Sequence, residues 1–268
     1  LTQRMVQART KKQTTTDVLT APDYLSPSSI STFHQCPLKY KYSRIDGIKE
    51  PPTEATLMGT FVHEVLEGFY SLAPSDRTVH SARTLASSAW QNYEKDASIV
   101  LRGNVDSIRA MRWRAWWCIE KLMAMEDVAE VHFDGIETEL NAEIDGVKIK
   151  GFVDRWHFDG DSIVIGDYKT GKVPREPYRD DKFDQLLIYG IILSESMGKE
   201  LKSVELLYIG HGQKLSKTPT GEDIARVKKM IVDTRAEIDK RCQTEVFEAR
   251  PSMLCNWCYF KKTCPEWS

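Results

Sequence analysis

The chain has 268 residues, 41% of them hydrophobic, enough for one large domain with a real core. A formal charge of −2 and a pI near 6.4 exclude a globally basic nucleic-acid binder and leave only a local basic groove for such a partner. No apolar run approaches a membrane span, and the first twenty residues lack the apolar centre of a signal peptide, so no membrane association and an intracellular, reducing setting are expected. The six cysteines are then not read as three disulfides.

Residues 1–23 are polar and Thr-rich and read as a flexible arm. From Ser26 a short capped helix is expected, broken at Cys36-Pro37 and followed by a basic-aromatic turn. Residues 1–50 carry eight Lys/Arg against four acids. An amphipathic helix is expected over 54–72 with Leu57, Phe61, Val65, Leu66 and Phe69 on its core face. Helices over 79–100 and 105–130 follow, the second bearing Trp113, Trp116 and Trp117. Strands are expected at 133–144, 147–158 and 162–169, then a helix at 180–197, a strand at 203–209 and a helix at 221–243. This order is α+β with a mixed sheet. The regions are the arm (1–23), an N-terminal cysteine segment (24–50), a helical region (51–130), the sheet core (131–243) and a cysteine-rich tail (244–268).

Asp159-Gly160-Asp161 is a turn signal between two apolar strands. Paired positions across it add to about 320, which brings Asp154 within a residue of facing Asp167. Alternation places Ile163, Ile165, Asp167 and Lys169 on one face and Tyr168 on the other. Two close carboxylates repel unless a cation lies between them, and a hard divalent ion is the simplest one. Gly166-x4-Gly171-Lys172 falls short of a phosphate-binding loop because Val173 replaces the required Ser/Thr, so no ATP site of its own is expected.

Cys255, Cys258 and Cys264 form C-x2-C-x5-C, one thiolate short of a closed site, and Cys36 is the candidate fourth. Spacing leaves zinc and an iron–sulfur cluster both open. Cys118 and Cys242 read as ordinary buried residues.

Asp154, Asp167 and Lys169 resemble the PD-(D/E)XK nuclease core, and the order of elements matches it. Together with Cys36-Pro37-x-x-Tyr40 and the C-terminal cysteines, they look like the iron–sulfur RecB-type nucleases, with the CRISPR-associated RecB-like exonucleases and the nuclease domains of helicase–nuclease complexes as nearest relatives. The resemblance covers residues 26–268 and implies a 4Fe-4S cluster on Cys36, Cys255, Cys258 and Cys264 that ties the termini together. It also implies Mg²⁺ or Mn²⁺ held by His63 of a G-x-x-x-H helix, Asp154, Asp167 and the Tyr168 carbonyl.

Lys169 would orient the attacking water or offset developing charge, and Gln185 and Tyr189 match a Q-x-x-x-Y element that positions DNA and the lysine. The implied activity is exonuclease cleavage of single-stranded DNA or DNA ends, in a prokaryotic or viral setting. The alternative is a DNA-binding scaffold in a recombination or CRISPR-adaptation complex. A helicase would be a separate partner. Lys39, Tyr40, Lys41, Tyr42 and Arg44 interleave cations with rings, a mixture that suits single-stranded nucleic acid.

Overall fold

A computed structural model of the protein describes residues 19–267. Most of the expected arm therefore lies outside the described residues. Its last residues are packed: Ala21 is buried, and Arg235 Nη1 donates to the Pro22 carbonyl at 2.7 Å.

Helices α1 (Pro27–Gln35) and α2 (Pro37–Tyr40), with a π-helical turn at Lys41–Ile45, precede α3 (Glu54–Tyr70), α4 (Val79–Val100) and α5 (Val105–Met125). Strands β1 (Gly135–Ile144), β2 (Val147–Asp159) and β3 (Ser162–Lys169) lead to α6 (Asp180–Met197), β4 (Glu200–Tyr208), β5 (Gln213–Lys217) and α7 (Gly221–Thr244). Two short 3₁₀ turns, Met253–Trp257 and Tyr259–Thr263, close the chain. Ser26, Thr53, Thr78 and Thr220 each start a helix with a reciprocal capping box, which satisfies backbone donors that the first turn leaves open.

The sheet runs β1-β2-β3-β4-β5, parallel only between β3 and β4. Gly160, at φ 62°, sits in the tight turn that pairs Asp159 with Ser162. Ile163 and Ile165 face the core shared with α1, α6 and α7, whereas Tyr168 faces the core made by α3, α4 and α5. The alternation expected for β3 is therefore present. All five residues expected on the core face of α3 are buried.

Two expectations needed correction here. Helix α5 stops at Met125 rather than 130, because Asp127 Oδ1 takes the Ala129 N–H in a local turn that competes with the helix. Strand β5 has no expected counterpart, since Gln213-Lys214-Leu215-Ser216-Lys217 is a polar edge strand without an apolar run.

Arg77 fixes the end of α3. Its guanidinium donates to the carbonyls of Leu72 and Tyr70 on one side and of Val128 and Val131 on the other. Replacing Arg77 with Ala strands four acceptors and is expected to cost about 3 kcal/mol in chemical denaturation. Arg77→Lys should recover less than half of that loss, because an ammonium cannot fork to both sides.

Candidate functional site

Four elements bring their polar side chains to one place. His63 comes from α3, Glu137 from β1, Asp154 from β2, and Asp167 with Lys169 from the end of β3. The β2–β3 register pairs Arg155 with Gly166, and one further step sets Asp154 opposite Asp167. Both carboxylates are buried.

The Tyr168 peptide units join these parts. The Tyr168 N–H donates to Asp154 Oδ2 at 2.7 Å, and its carbonyl accepts from His63 Nε2 at 3.0 Å. That bond puts a hydrogen on Nε2 and turns Nδ1 toward the acids, 3.5 Å from Asp154 Oδ2 and 3.5 Å from Glu137 Oε1. A histidine that ligates a metal usually anchors its other nitrogen in this way. Among the described residues, His63, Glu137 and Asp154 form the one group of three His, Cys, Asp or Glu whose ligand atoms all lie within 4.8 Å of one another.

Asp167 lies outside that group. Its Oδ2 forms an ion pair with Lys169 Nζ at 2.6 Å. Three carboxylates, two of them buried, crowd round His63 and Lys169, and that excess of negative charge and oxygen donors fits a divalent cation.

Glu137 was not anticipated. The ladder pairs Ile136 with Arg155 and Thr138 with Val153 but skips the step between them, where Glu137 stands opposite Asp154 at φ 44°. A left-handed glutamate in a strand is strained, and such strain is found where a side chain is re-aimed at a site. The turn arithmetic used across Gly160 contains the missing signal, since pairing around Asp145-Gly146 also sets 137 against 154.

Charge crowding shapes the proton affinities. Burial, then Asp167, push the Asp154 carboxyl up to about 7 against the pull of His63. Burial alone would lower His63, but the Glu137 bond and the charges of Asp154 and Asp167 win and raise it to about 9. Burial also opposes the charge on Lys169, yet Asp167 raises it above the ordinary lysine value, so the side chain stays cationic.

Behind the site, Arg155 Nη1 bridges both Glu126 oxygens at 2.8 and 2.9 Å and donates to the Tyr168 hydroxyl at 3.3 Å. Its guanidinium lies 5.0 Å from the Tyr168 ring centre, and the Tyr70 hydroxyl donates to Glu126. A Cβ at Gly166 would stand 2.6 Å from Arg155 Nε, so glycine is what lets the guanidinium cross β3.

Gln185 and Tyr189 on α6 meet as expected for one helix face. Tyr189 lies over β2, where its ring would stand 2.7 Å from a Cβ at Gly151. Gly59 lines the cavity beside His63, but a Cβ there meets only Thr170 Oγ1 at 3.6 Å, so no steric need within the protein demands glycine.

One member of the basic-aromatic segment is corrected. Tyr40 is fully buried, edge-on to Phe33 at 5.4 Å, and cannot stack on a base. Lys39 pairs with Glu50, Lys41 with Asp46, and Arg44 reaches Ser28. Tyr42 packs on Phe260, so the segment stitches the N-terminal helices to the tail. Cys118 and Cys242 are buried as expected.

Cys36, Cys255, Cys258 and Cys264 line one cavity of about 210 Å³, but no three of their sulfurs lie within 4.8 Å of one another. The Arg250 N–H donates to Cys36 Sγ at 3.4 Å and the Ser252 N–H to Cys255 Sγ at 3.3 Å.

A titration follows from His63. Its folded value exceeds the ordinary 6.5, so the stability it contributes is complete below 6.5 and is lost as pH rises toward about 9. His34 and His157, lowered by burial, act in the opposite sense but only below 6.5. In chelator the Tm should therefore fall between pH 6.5 and 9, and His63→Gln should flatten that slope.

The family model of the PD-(D/E)XK nuclease superfamily matches residues 24–265. The gene 69 protein of Mycobacterium phage L5 is 22% identical, covering 93% of this chain and 99% of its own. That of Mycobacterium phage D29 is 21% identical, covering 90% and 96%. A crystal structure from Eubacterium rectale, which carries a provisional exonuclease name, superposes with a TM-score of 0.58 at 16% identity, over 88% of this chain and 87% of that one. With a metal-type cluster at the sheet end and a family match over nearly its whole length, the chain belongs to the PD-(D/E)XK nuclease superfamily.

Proposed function

We propose that the protein is a Mg²⁺- or Mn²⁺-dependent deoxyribonuclease that hydrolyses phosphodiester bonds as an exonuclease, on single-stranded DNA or DNA ends, in recombination, repair or CRISPR-type DNA processing. The observation that carries this reading is the convergence of His63 Nδ1, Glu137 and Asp154 beside the Asp167–Lys169 pair. Carboxylate oxygens suit hard divalent cations, and one imidazole admits Mn²⁺ as well. A cation held there would polarise a phosphate oxygen and lower the pKa of an attacking water.

The chain's own residues do the rest. His63 is fixed in the tautomer that presents Nδ1 by the Tyr168 carbonyl, and Asp154 is aimed by the Tyr168 N–H. Asp167, ion-paired to Lys169, stands beside them as a further carboxylate that a cation could draw on. Lys169 is kept cationic by Asp167, which suits it to stabilising charge developing on the phosphate and not to removing a proton from water. Tyr189 clamps β2 at Gly151, just before Asp154.

The four-cysteine cavity supports the further reading that a 4Fe-4S cluster clasps the two ends of the chain. Four sulfurs around one zinc ion would stand about 3.8 Å apart, given Zn–S bonds of ~2.3 Å, whereas no three of these sulfurs lie within 4.8 Å of one another. Backbone donors to Cys36 and Cys255 are of the kind that tune cluster sulfurs. Anaerobically purified protein should absorb broadly near ~400 nm and contain iron. Stoichiometric zinc without that band would overturn this part.

End-labelled single- and double-stranded DNA incubated with Mg²⁺ or Mn²⁺ tests the main reading. Wild type should cleave, Lys169→Ala should be slower by roughly 10²–10³-fold, and Asp154→Ala should be inactive. Gly151→Ala, which displaces Tyr189, should lose at least about tenfold in rate with an unchanged circular dichroism spectrum. No metal-dependent cleavage of either substrate would sink the proposal.

A further inference from the structure

Between α4 and α5, above Phe61 of α3, lies a cavity of about 830 Å³. It falls in the range of roughly 300–1,000 Å³ typical of ligand sites, and none of the residues of the catalytic cluster lines it. Its walls carry Arg83, Arg109 and Arg112 with Trp90, Trp113 and Trp116, and Glu94 is the one acid among them. From Val79 to Met125 the chain has seven Lys/Arg against four Asp/Glu, although the whole chain is net negative.

The arginines and tryptophans are paired by geometry. The Arg112 guanidinium lies 4.8 Å from the Trp90 ring centre and that of Arg83 lies 5.3 Å from Trp116. Trp113 is 66% exposed and takes no part in the core. An apolar partner seated here would have to bury three guanidinium groups, which is costly unless each meets an anion. Among the described residues only Arg109 of the three has an acidic ion-pair partner, the exposed Asp106 at 3.3 Å. A chain of phosphates that also offers flat apolar faces satisfies both the cations and the exposed indole. Single-stranded nucleic acid has that chemistry, whereas a duplex keeps its base faces stacked inside.

The groove adjoins the catalytic cavity. Phe61 meets Trp90 and Tyr93 edge-on, at 5.7 and 5.4 Å, and Tyr93 also lines the cavity that holds His63 and Glu137. We propose that this Arg/Trp groove binds a single strand of nucleic acid beside the catalytic site, so that the helical region holds the strand while the sheet end cuts it. Its role in delivering substrate rests on the nuclease reading; its affinity for a single strand does not.

The test uses the full chain without divalent cation, titrated with a fluorescein-labelled oligothymidylate. Arg109→Glu and Trp113→Ala change exposed side chains and should fold normally, which thermal melting checks. Each should weaken binding roughly tenfold, and Arg109→Glu should lower the slope of log affinity against log salt by about one. With metal added, both variants should cleave a trinucleotide, too short to span the groove, at the wild-type rate. Wild-type affinity in both variants would overturn the groove. If affinity is unchanged but wild-type self-association is lost in Trp113→Ala, the surface belongs to a protein partner and the proposal falls. Groove-dependent binding with no cleavage by the wild type would uphold the groove and reject the nuclease reading instead.

Discussion

The peptide units flanking Tyr168 tie the histidine of the site to its central carboxylate, because one amide holds Asp154 and the next carbonyl holds His63. Their position is set by a side chain that points the other way. The Tyr168 ring is buried against Arg155, Tyr70 and the core of α3 to α5, and the Arg155 charge is met by Glu126. A buried guanidinium is tolerated only with such a partner, so the Glu126–Arg155 pair holds the strand end in one place. Loss of that register would move His63 and Asp154 together, since both bind the same residue.

The cost of this design is electrostatic. Asp154, Asp167 and Glu137 crowd together, and the protein moderates their repulsion with the His63 and Lys169 cations and a raised proton affinity at Asp154. These groups would be easier to keep apart than together, and the strained backbone of Glu137 shows that the fold brings them together regardless. Destabilised charge clusters of this kind mark functional sites more often than structural ones. A divalent cation held there would relieve this repulsion.

Much of this was legible in the residues. The turn at Gly160, the alternation in β3 and the apolar face of α3 follow from local rules, and together they bring Asp154, Asp167 and His63 to one end of the sheet. Glu137 was missed although the same pairing arithmetic reaches it, because no motif drew attention to β1. Its left-handed backbone is a tertiary effect that no propensity encodes. Tyr40 was misplaced for the opposite reason: alternation with lysines reads as a surface, but helix α2, which starts at Pro37, turns the ring inward onto Phe33. The polar edge strand β5 is invisible to any search for apolar periodicity.

The central claim is that His63, Glu137 and Asp154 form one cation site. Anomalous diffraction from crystals soaked in Mn²⁺ measures this most directly. A peak bounded by His63 Nδ1, Asp154 and Glu137 is the predicted result. A well-ordered crystal with no peak there, or with Mn²⁺ bound only elsewhere, would contradict the account.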